Sequence, residues 1–97
     1  MKVLNIEILL DYSKKHPETG QVLASWLVIA RAATWKTPLE IKQRYPRASI
    51  LGNNRVVFDI KGGSHRLISV INYPFSILEI RFIGTHVEYD KVNAEKI

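Results

Sequence analysis

The chain has 97 residues and no cysteine, so its length fits one domain, residues 1–97, without disulfides or a thiolate metal site. Hydrophobic residues make up 46% and charged residues 24%, a composition that excludes an intrinsically disordered chain. The apolar runs are short and interrupted by charge, which predicts neither a signal peptide nor a membrane span. We therefore expect a cytoplasmic globular protein without a membrane partner.

The net charge of +5 is concentrated in the middle of the chain. From Arg31 to Arg66 there are eight Lys or Arg residues against two acidic residues, so this basic segment carries +6 and the remainder carries −1. Such an excess suggests a polyanionic partner, because neutralised phosphates supply much of the affinity of proteins for nucleic acids. A basic surface that is merely solvated is the alternative, and composition does not separate the two.

The first part of the chain predicts a short strand followed by two helices. Val3–Asn5 fits a strand, and Ile6–Lys15 fits a helix with one apolar side. Pro17 suits the first position of a second helix. Apolar residues recur in that helix at helical spacing and are predicted to be core: Leu23, Trp26, Leu27, Ala30 and Ala33.

A capping signal marks the next helix. Thr37 and Glu40 have the spacing of a capping box, with Pro38 at the first helical position. This pattern predicts a short helix to about Arg44, which Pro46 ends.

The residues between a turn at 52–54 and Gly84 predict β structure with two hairpin breaks, at residues 61–64 and 73–76. The three predicted strands are Arg55–Ile60, His65–Asn72 and Ile77–Ile83. The fold class is therefore α+β: an antiparallel sheet packed on one side by the two N-terminal helices, with a short C-terminal helix.

The turns also set a register, and the register separates two faces. Centring each hairpin on its turn pairs Phe58 with Leu67, Asp59 with Arg66, Leu67 with Phe82 and Ile68 with Arg81. One face is then apolar and should receive the helices: Val56, Phe58, Ile60, Leu67, Ile71, Leu78, Ile80 and Phe82. The other face is polar and partly basic: Arg55, Asp59, Arg66, Asn72, Glu79 and Arg81. A slip of one residue would exchange the faces of a strand.

The end of the chain carries the best candidates for chemistry. Thr85 and Glu88 form a second capping box, which starts a short helix, and the residues after about Lys91 should form a frayed tail. An imidazole, a phenol and a carboxylate share one face of this helix: His86, Tyr89 and Asp90. Cleavage of RNA by its own 2′-hydroxyl needs a base, an acid and cations for the developing charge. His, Tyr, Arg and Lys supply these functions.

Each candidate also has a structural interpretation. His86 fits a capping or surface residue, Tyr89 fits an anchor between helix and sheet, and Arg66 opposite Asp59 fits a cross-strand ion pair. No phosphate-binding glycine loop or nucleophile elbow is present. The three histidines are too scattered to suggest a metal site: His16, His65 and His86.

Four segments together resemble the HigB-type toxins of bacterial type II toxin–antitoxin systems: Trp35–Glu40, Arg55–Ile60 with Gly62-Gly63, Arg66–Ile68, and Ile80–Lys91. The resemblance spans nearly the whole chain, and the terminal Gly-Thr-His-x-Glu-Tyr-Asp stretch is its most specific part. It implies a RelE-like α+β fold and metal-independent cleavage of mRNA on the ribosome. It also implies inhibition by a HigA-type helix-turn-helix antitoxin.

With this resemblance, His86 is expected to be the general base or acid, since an imidazole can both accept and donate a proton near neutral pH. Tyr89 is expected to be its partner acid or a positioning group. Arg66 and Arg81 should hold the scissile phosphate, Lys91 should add a second cation, and Asp90 should orient or cap.

The basic segment would then bind ribosomal RNA without base specificity through Lys36, Lys42, Arg44, Arg47 and Arg55. An antitoxin would compete for this surface. Two alternatives stay open: a noncatalytic RNA- or DNA-binding module, and a toxin-like protein that has lost its activity.

Overall fold

The computed structural model describes residues 1–97 as one five-stranded sheet with helices. The strands are β1 (Lys2–Leu4), β2 (Ser49–Ile50), β3 (Arg55–Ile60), β4 (His65–Asn72) and β5 (Ile77–Thr85). The helices are α1 (Glu7–Lys15), α2 (Gly20–Ala32), α3 (Pro38–Arg44) and α4 (His86–Tyr89), with a 3₁₀ turn at Pro17–Thr19.

The sheet has the order β1-β5-β4-β3-β2 and is mostly antiparallel. The α+β class and the three central strands are confirmed. Two features differ from the sequence prediction. β1 pairs with β5 in parallel, and β2, which was not predicted, adds an edge strand beside β3.

A capping residue marks the start of α3. The Thr37 hydroxyl accepts the main-chain N–H of Glu40 at 3.4 Å, and α3 runs from Pro38 to Arg44 as predicted. Three residues of α2 are buried: Leu23, Trp26 and Ala30. Leu27 of α2 and Ala33, which follows the helix, are partly buried against the same core. The predicted apolar stripe is therefore confirmed.

The core lies between the helices and one side of the sheet, called here the helix-covered face. The β3–β4 register is confirmed, with Phe58 opposite Leu67 and Asp59 opposite Arg66. The predicted β4–β5 register is correct from Ser69 to Asn72 but wrong from His65 to Ile68, because a β-bulge shifts the pairing between Ile68 and Ser69.

This bulge corrects one predicted core residue. On the side of the bulge nearer the start of β4, Leu67 lies opposite Ile83 and Ile68 lies opposite Phe82. Ile83 therefore joins the core in place of Phe82, which is outside the buried cluster. The other predicted core residues are buried as expected: Val56, Phe58, Ile60, Leu67, Ile71, Leu78 and Ile80.

The opposite side of the sheet, called here the outer face, is partly covered. Its aliphatic residues Val57 and Ile68 are buried. The expectation of a frayed tail is wrong, because the Asn53 amide donates to the carbonyl oxygen of Glu95 at 3.1 Å and Arg55 donates to the carbonyl oxygen of Ile97 at 2.7 Å. No helix of the chain is long and apolar enough to cross a membrane.

Candidate functional site

The short helix α4 begins with a capping box and is joined to the β3–β4 hairpin by a main-chain hydrogen bond. Thr85 and Glu88 form the complete capping box, with the Thr85 hydroxyl accepting the N–H of Glu88 at 3.2 Å and the Glu88 carboxylate accepting the N–H of Thr85 at 2.8 Å. The hydrogen bond from the Thr85 main-chain N–H, followed by that from the Thr85 side chain, lowers the pKa of Glu88. The N–H of His86 donates to the carbonyl oxygen of Ser64 at 3.0 Å, which joins α4 to the hairpin.

A group of charged and aromatic side chains lies where α4 meets the outer face, and we call it the outer-face cluster: Arg47, Asp59, Arg66 and Tyr89. The Asp59 carboxylate lies 3.3 Å from Nε of Arg66 and 3.3 Å from Nε of Arg47. The guanidinium carbon of Arg66 lies 5.4 Å from the centroid of the Tyr89 ring, a cation–π contact. Arg66 is therefore held between a carboxylate and an aromatic ring.

His86 lies three residues before Tyr89 on the same helix and remains open to solvent. Its Nδ1 is 3.1 Å from the Asp90 carboxylate, and its side chain is 54% exposed. A carboxylate on one ring nitrogen orients the imidazole and leaves the other nitrogen available for proton transfer. The structure thus brings Arg66 and Tyr89 into contact on the outer face, and it places His86 on the same short helix as Tyr89, next to Asp90.

Arg81 is the predicted site residue that the structure does not bring next to Arg66. Arg66 pairs with Gly84, three residues farther along β5 than Arg81, a separation of about 10 Å at the usual strand rise. The bulge leaves Arg81 without a partner on β4, and its guanidinium donates to Glu79 at 2.9 Å. Lys91 lies two residues after the end of α4 and is exposed.

The five predicted RNA-binding cations differ in whether their side chains are already bound within the protein. Lys36 is exposed, and Arg44 lies 5.0 Å from the Tyr45 ring. The Lys42 ammonium donates to the carbonyl oxygens of Pro46 and Ala48, so it stabilises the loop after α3.

The other two cations are engaged on the outer face. Arg55 is bound to main-chain oxygens of Asn53 and Ile97, which leaves it little freedom to contact a ligand. Arg47, by contrast, belongs to the outer-face cluster rather than to a separate basic surface.

Sequence reasoning missed a second group of titratable side chains on the helix-covered face, which we call the histidine cluster: Tyr12, His16, Glu18 and His65. The Tyr12 hydroxyl lies 2.6 Å from Nδ1 of His65, and the His16 and His65 rings are 5.3 Å apart. His16 and His65 thus lie close together, which their separation in the sequence did not indicate. The alternation of β4, which turns His65 away from Arg66, was the available signal.

Burial perturbs the Tyr12 hydroxyl of this cluster. Desolvation, followed by the charges of Glu88 and Glu18, raises the pKa of Tyr12 from 10.0 to about 12. The Glu18 carboxylate lies 3.5 Å from Nε2 of His65 and 3.6 Å from Nδ1 of His16. No group of three or more His, Asp or Glu side chains in the chain could hold a metal ion.

Two comparisons bear on this geometry. Residues 19–92 match the HigB_toxin family, described as the RelE-like toxic component of a toxin-antitoxin system. The chain is also similar to the mRNA interferase HigB of Escherichia coli O6:H1 (strain CFT073), with 27% identity over 84 residues that cover 84% of this chain and 82% of that relative.

Proposed function

The chain belongs to the HigB_toxin family of RelE-like toxins, and we propose that it is an endoribonuclease that cleaves ribosome-bound mRNA without a metal ion and thereby inhibits translation. The observation that carries the proposal is the contact between Arg66 and the Tyr89 ring beside His86, at the end of the outer face. The name of the E. coli relative, mRNA interferase, supports the same reaction.

The arrangement supplies the groups that the reaction needs. In this class of cleavage the 2′-hydroxyl attacks the adjacent phosphorus, the P–O5′ bond breaks, and a proton moves from the 2′-oxygen to a base while an acid protonates the 5′-oxygen. We assign one proton-transfer role to His86 and the partner or positioning role to Tyr89. Arg66 stabilises the charge on the phosphoryl oxygens. Arg81 and Lys91 stay predictions as additional cations.

The proposed partner is an antitoxin, in keeping with the family of toxin–antitoxin components. We propose that it is of the HigA type, with a helix-turn-helix domain, and that it covers the outer face or the adjacent basic segment. Either position would block the approach of RNA. Growth arrest on expression of the chain alone, with relief by the cognate antitoxin, is the expected cellular result.

The test is single-turnover cleavage of mRNA on saturating ribosomes. We expect cuts at defined positions within codons by the unaltered protein. Protein that has been treated with EDTA and desalted before it is added to the ribosomes should cleave at the same rate. His86→Ala should slow the chemical step by about 10²- to 10⁴-fold even when fully bound. Lys36→Ala is the matched control, because loss of this exposed cation should weaken only the binding. Its cleavage rate should return to normal when the ribosomes are saturating.

Two results would contradict the proposal. A folded His86→Ala protein that cleaves at the normal rate would remove His86 from the mechanism. RNA binding by the unaltered protein without any cleavage would instead support a noncatalytic RNA-binding module.

A further inference from the structure

One carboxylate on the outer face holds two guanidinium groups that come from distant parts of the chain. Asp59 is in β3, Arg66 faces it from β4, and Arg47 lies in the loop between α3 and β2. The Asp59 side chain is 16% exposed and contacts both arginines at Nε, through Oδ1 to Arg66 and through Oδ2 to Arg47. One negative charge therefore faces two positive charges, and the group keeps a net positive charge.

The Nε contacts leave the outer nitrogens of both guanidiniums free. The other hydrogen bond of Arg66 also uses Nε, which donates to the carbonyl oxygen of Gly63 at 3.2 Å. No hydrogen bond within the chain uses an Nη of either arginine. Free Nη donors with fixed orientation are the groups that bind phosphate oxygens in pairs.

Gly63 shows that the two guanidiniums converge. A Cβ placed on Gly63 would lie 3.5 Å from Nη2 of Arg47 and 3.6 Å from Nη2 of Arg66, and 3.4 Å from Oδ2 of Asp59. Gly63 has a φ of +92°, a conformation that side-chain-bearing residues rarely adopt, so the hairpin keeps this point open. Two nitrogens near one open point can each bind a different oxygen of a single phosphate.

This pair of arginines adjoins the residues assigned to cleavage. Arg66 contacts the Tyr89 ring on α4, whereas Arg47 extends from the cluster with 70% of its side chain exposed. We propose that Arg47 and Arg66 form a two-arginine clamp for one phosphate of the RNA substrate, with Asp59 as the positioning residue that orients both. The proposal rests on the proposed function and changes Arg47 from a general ribosome contact into a site residue.

The clamp is tested first by binding, which does not depend on catalysis. The probe is a short, fully 2′-O-methylated RNA, which lacks the attacking hydroxyl and is not cleaved. Arg47→Ala and Arg66→Ala should each weaken its binding by about tenfold or more. Because both arginines hold the same phosphate, the double variant should lose much less than the product of the two single losses. Arg44→Ala is the matched control, since Arg44 lies near the same loop but does not contact Asp59. In the double variant with Arg66→Ala, the loss of affinity should equal the product of the two single losses.

The role of Asp59 is tested by opposing effects on binding and rate. Asp59→Asn removes a negative charge, so binding of the RNA probe should be equal or tighter. Single-turnover cleavage should nevertheless slow by about tenfold or more, because the guanidiniums are no longer held in place. Equal or faster cleavage by Asp59→Asn would overturn the positioning role. Urea unfolding of each variant shows that it is folded.

The outcomes separate the clamp from the proposed function. The proposed function fails and the clamp stands if the unaltered protein cleaves no mRNA while the double variant loses much less affinity for the probe than the product of the two single losses. If it cleaves mRNA but the losses from Arg47→Ala and Arg66→Ala multiply independently, the clamp is wrong and the proposed function stands.

Discussion

His65 and Arg66 are consecutive residues of β4, yet they belong to two groups with opposite character. His65 is 5% exposed on the helix-covered face, and both of its ring nitrogens face partners in the histidine cluster. Arg66 lies on the outer face, where its guanidinium is fixed at Nε and keeps free donors at Nη. The alternation of a single strand therefore separates a buried, internally satisfied polar group from one that can still bind a ligand.

This difference indicates which cluster is structural. His65 is the buried member of the histidine cluster, and leaving either of its ring nitrogens unpaired would be costly. Exposed cations held in a fixed orientation are prepared for an anion instead. We infer that the helix-covered face supplies stability and that the outer face supplies the chemistry, and the following predictions test that division.

The largest expected change in stability comes from the helix-covered face. Phe58 is 1% exposed and packs against the rings of Trp26 and Tyr45. Phe58→Ala should lower the free energy of unfolding by about 3–5 kcal/mol, through lost burial and the cavity left behind. Urea denaturation measures this. Lys91→Ala, at an exposed residue after α4, is the control and should stay within about 0.5 kcal/mol of the unaltered protein. Similar losses for both would contradict the division.

A smaller effect is expected at the cap of α4. Thr85→Ala removes the side-chain acceptor for the N–H of Glu88 and should cost about 1 kcal/mol in the free energy of unfolding. Since α4 carries His86 and Tyr89, the same substitution should also slow single-turnover cleavage. Thr85→Ser keeps the hydroxyl and should restore both quantities. A rate unchanged in Thr85→Ala would show that the cap does not position the site.

The smallest expected effect concerns the histidine cluster. It is absent near neutral pH and appears only in alkaline solution. The pKa of Tyr12 is raised from 10.0 to about 12 in the folded protein, so the unfolded chain loses its tyrosine proton first as the pH rises. The stability linked to Tyr12 is complete below pH 10 and should be lost between about pH 10 and pH 12.

Tyr12→Phe tests this linkage. Its free energy of unfolding should decrease less steeply with pH over that interval, although burial also raises the pKa of Tyr45 and Tyr73 and these residues will contribute. Urea denaturation from pH 8 upwards measures the slope. Equal slopes in the two proteins would refute the assignment to Tyr12.

Local patterns predicted much of the fold and part of the site. Capping residues located α3 and α4, and the first hairpin turn set the register that places Asp59 opposite Arg66. The spacing of His86 and Tyr89 was sufficient to place both on α4.

The features that sequence missed depend on contacts between distant segments. The bulge that exchanges Phe82 for Ile83 has no turn-like signature, and the docking of residues 92–97 depends on Arg55. Arg47 reaches Asp59 only because the loop after α3 folds back on the sheet. His16 and His65 meet because α1 ends beside the start of β4.

The most direct test of the central claim uses the two neighbours on β4. Single-turnover mRNA cleavage on saturating ribosomes should be slowed by about 10²- to 10³-fold in Arg66→Ala, which removes a donor to the developing phosphoryl charge. His65→Gln keeps a hydrogen-bonding side chain in the histidine cluster and should cleave at the rate of the unaltered protein. Normal cleavage by Arg66→Ala, or a comparable loss in folded His65→Gln, would contradict the assignment of the chemistry to the outer face.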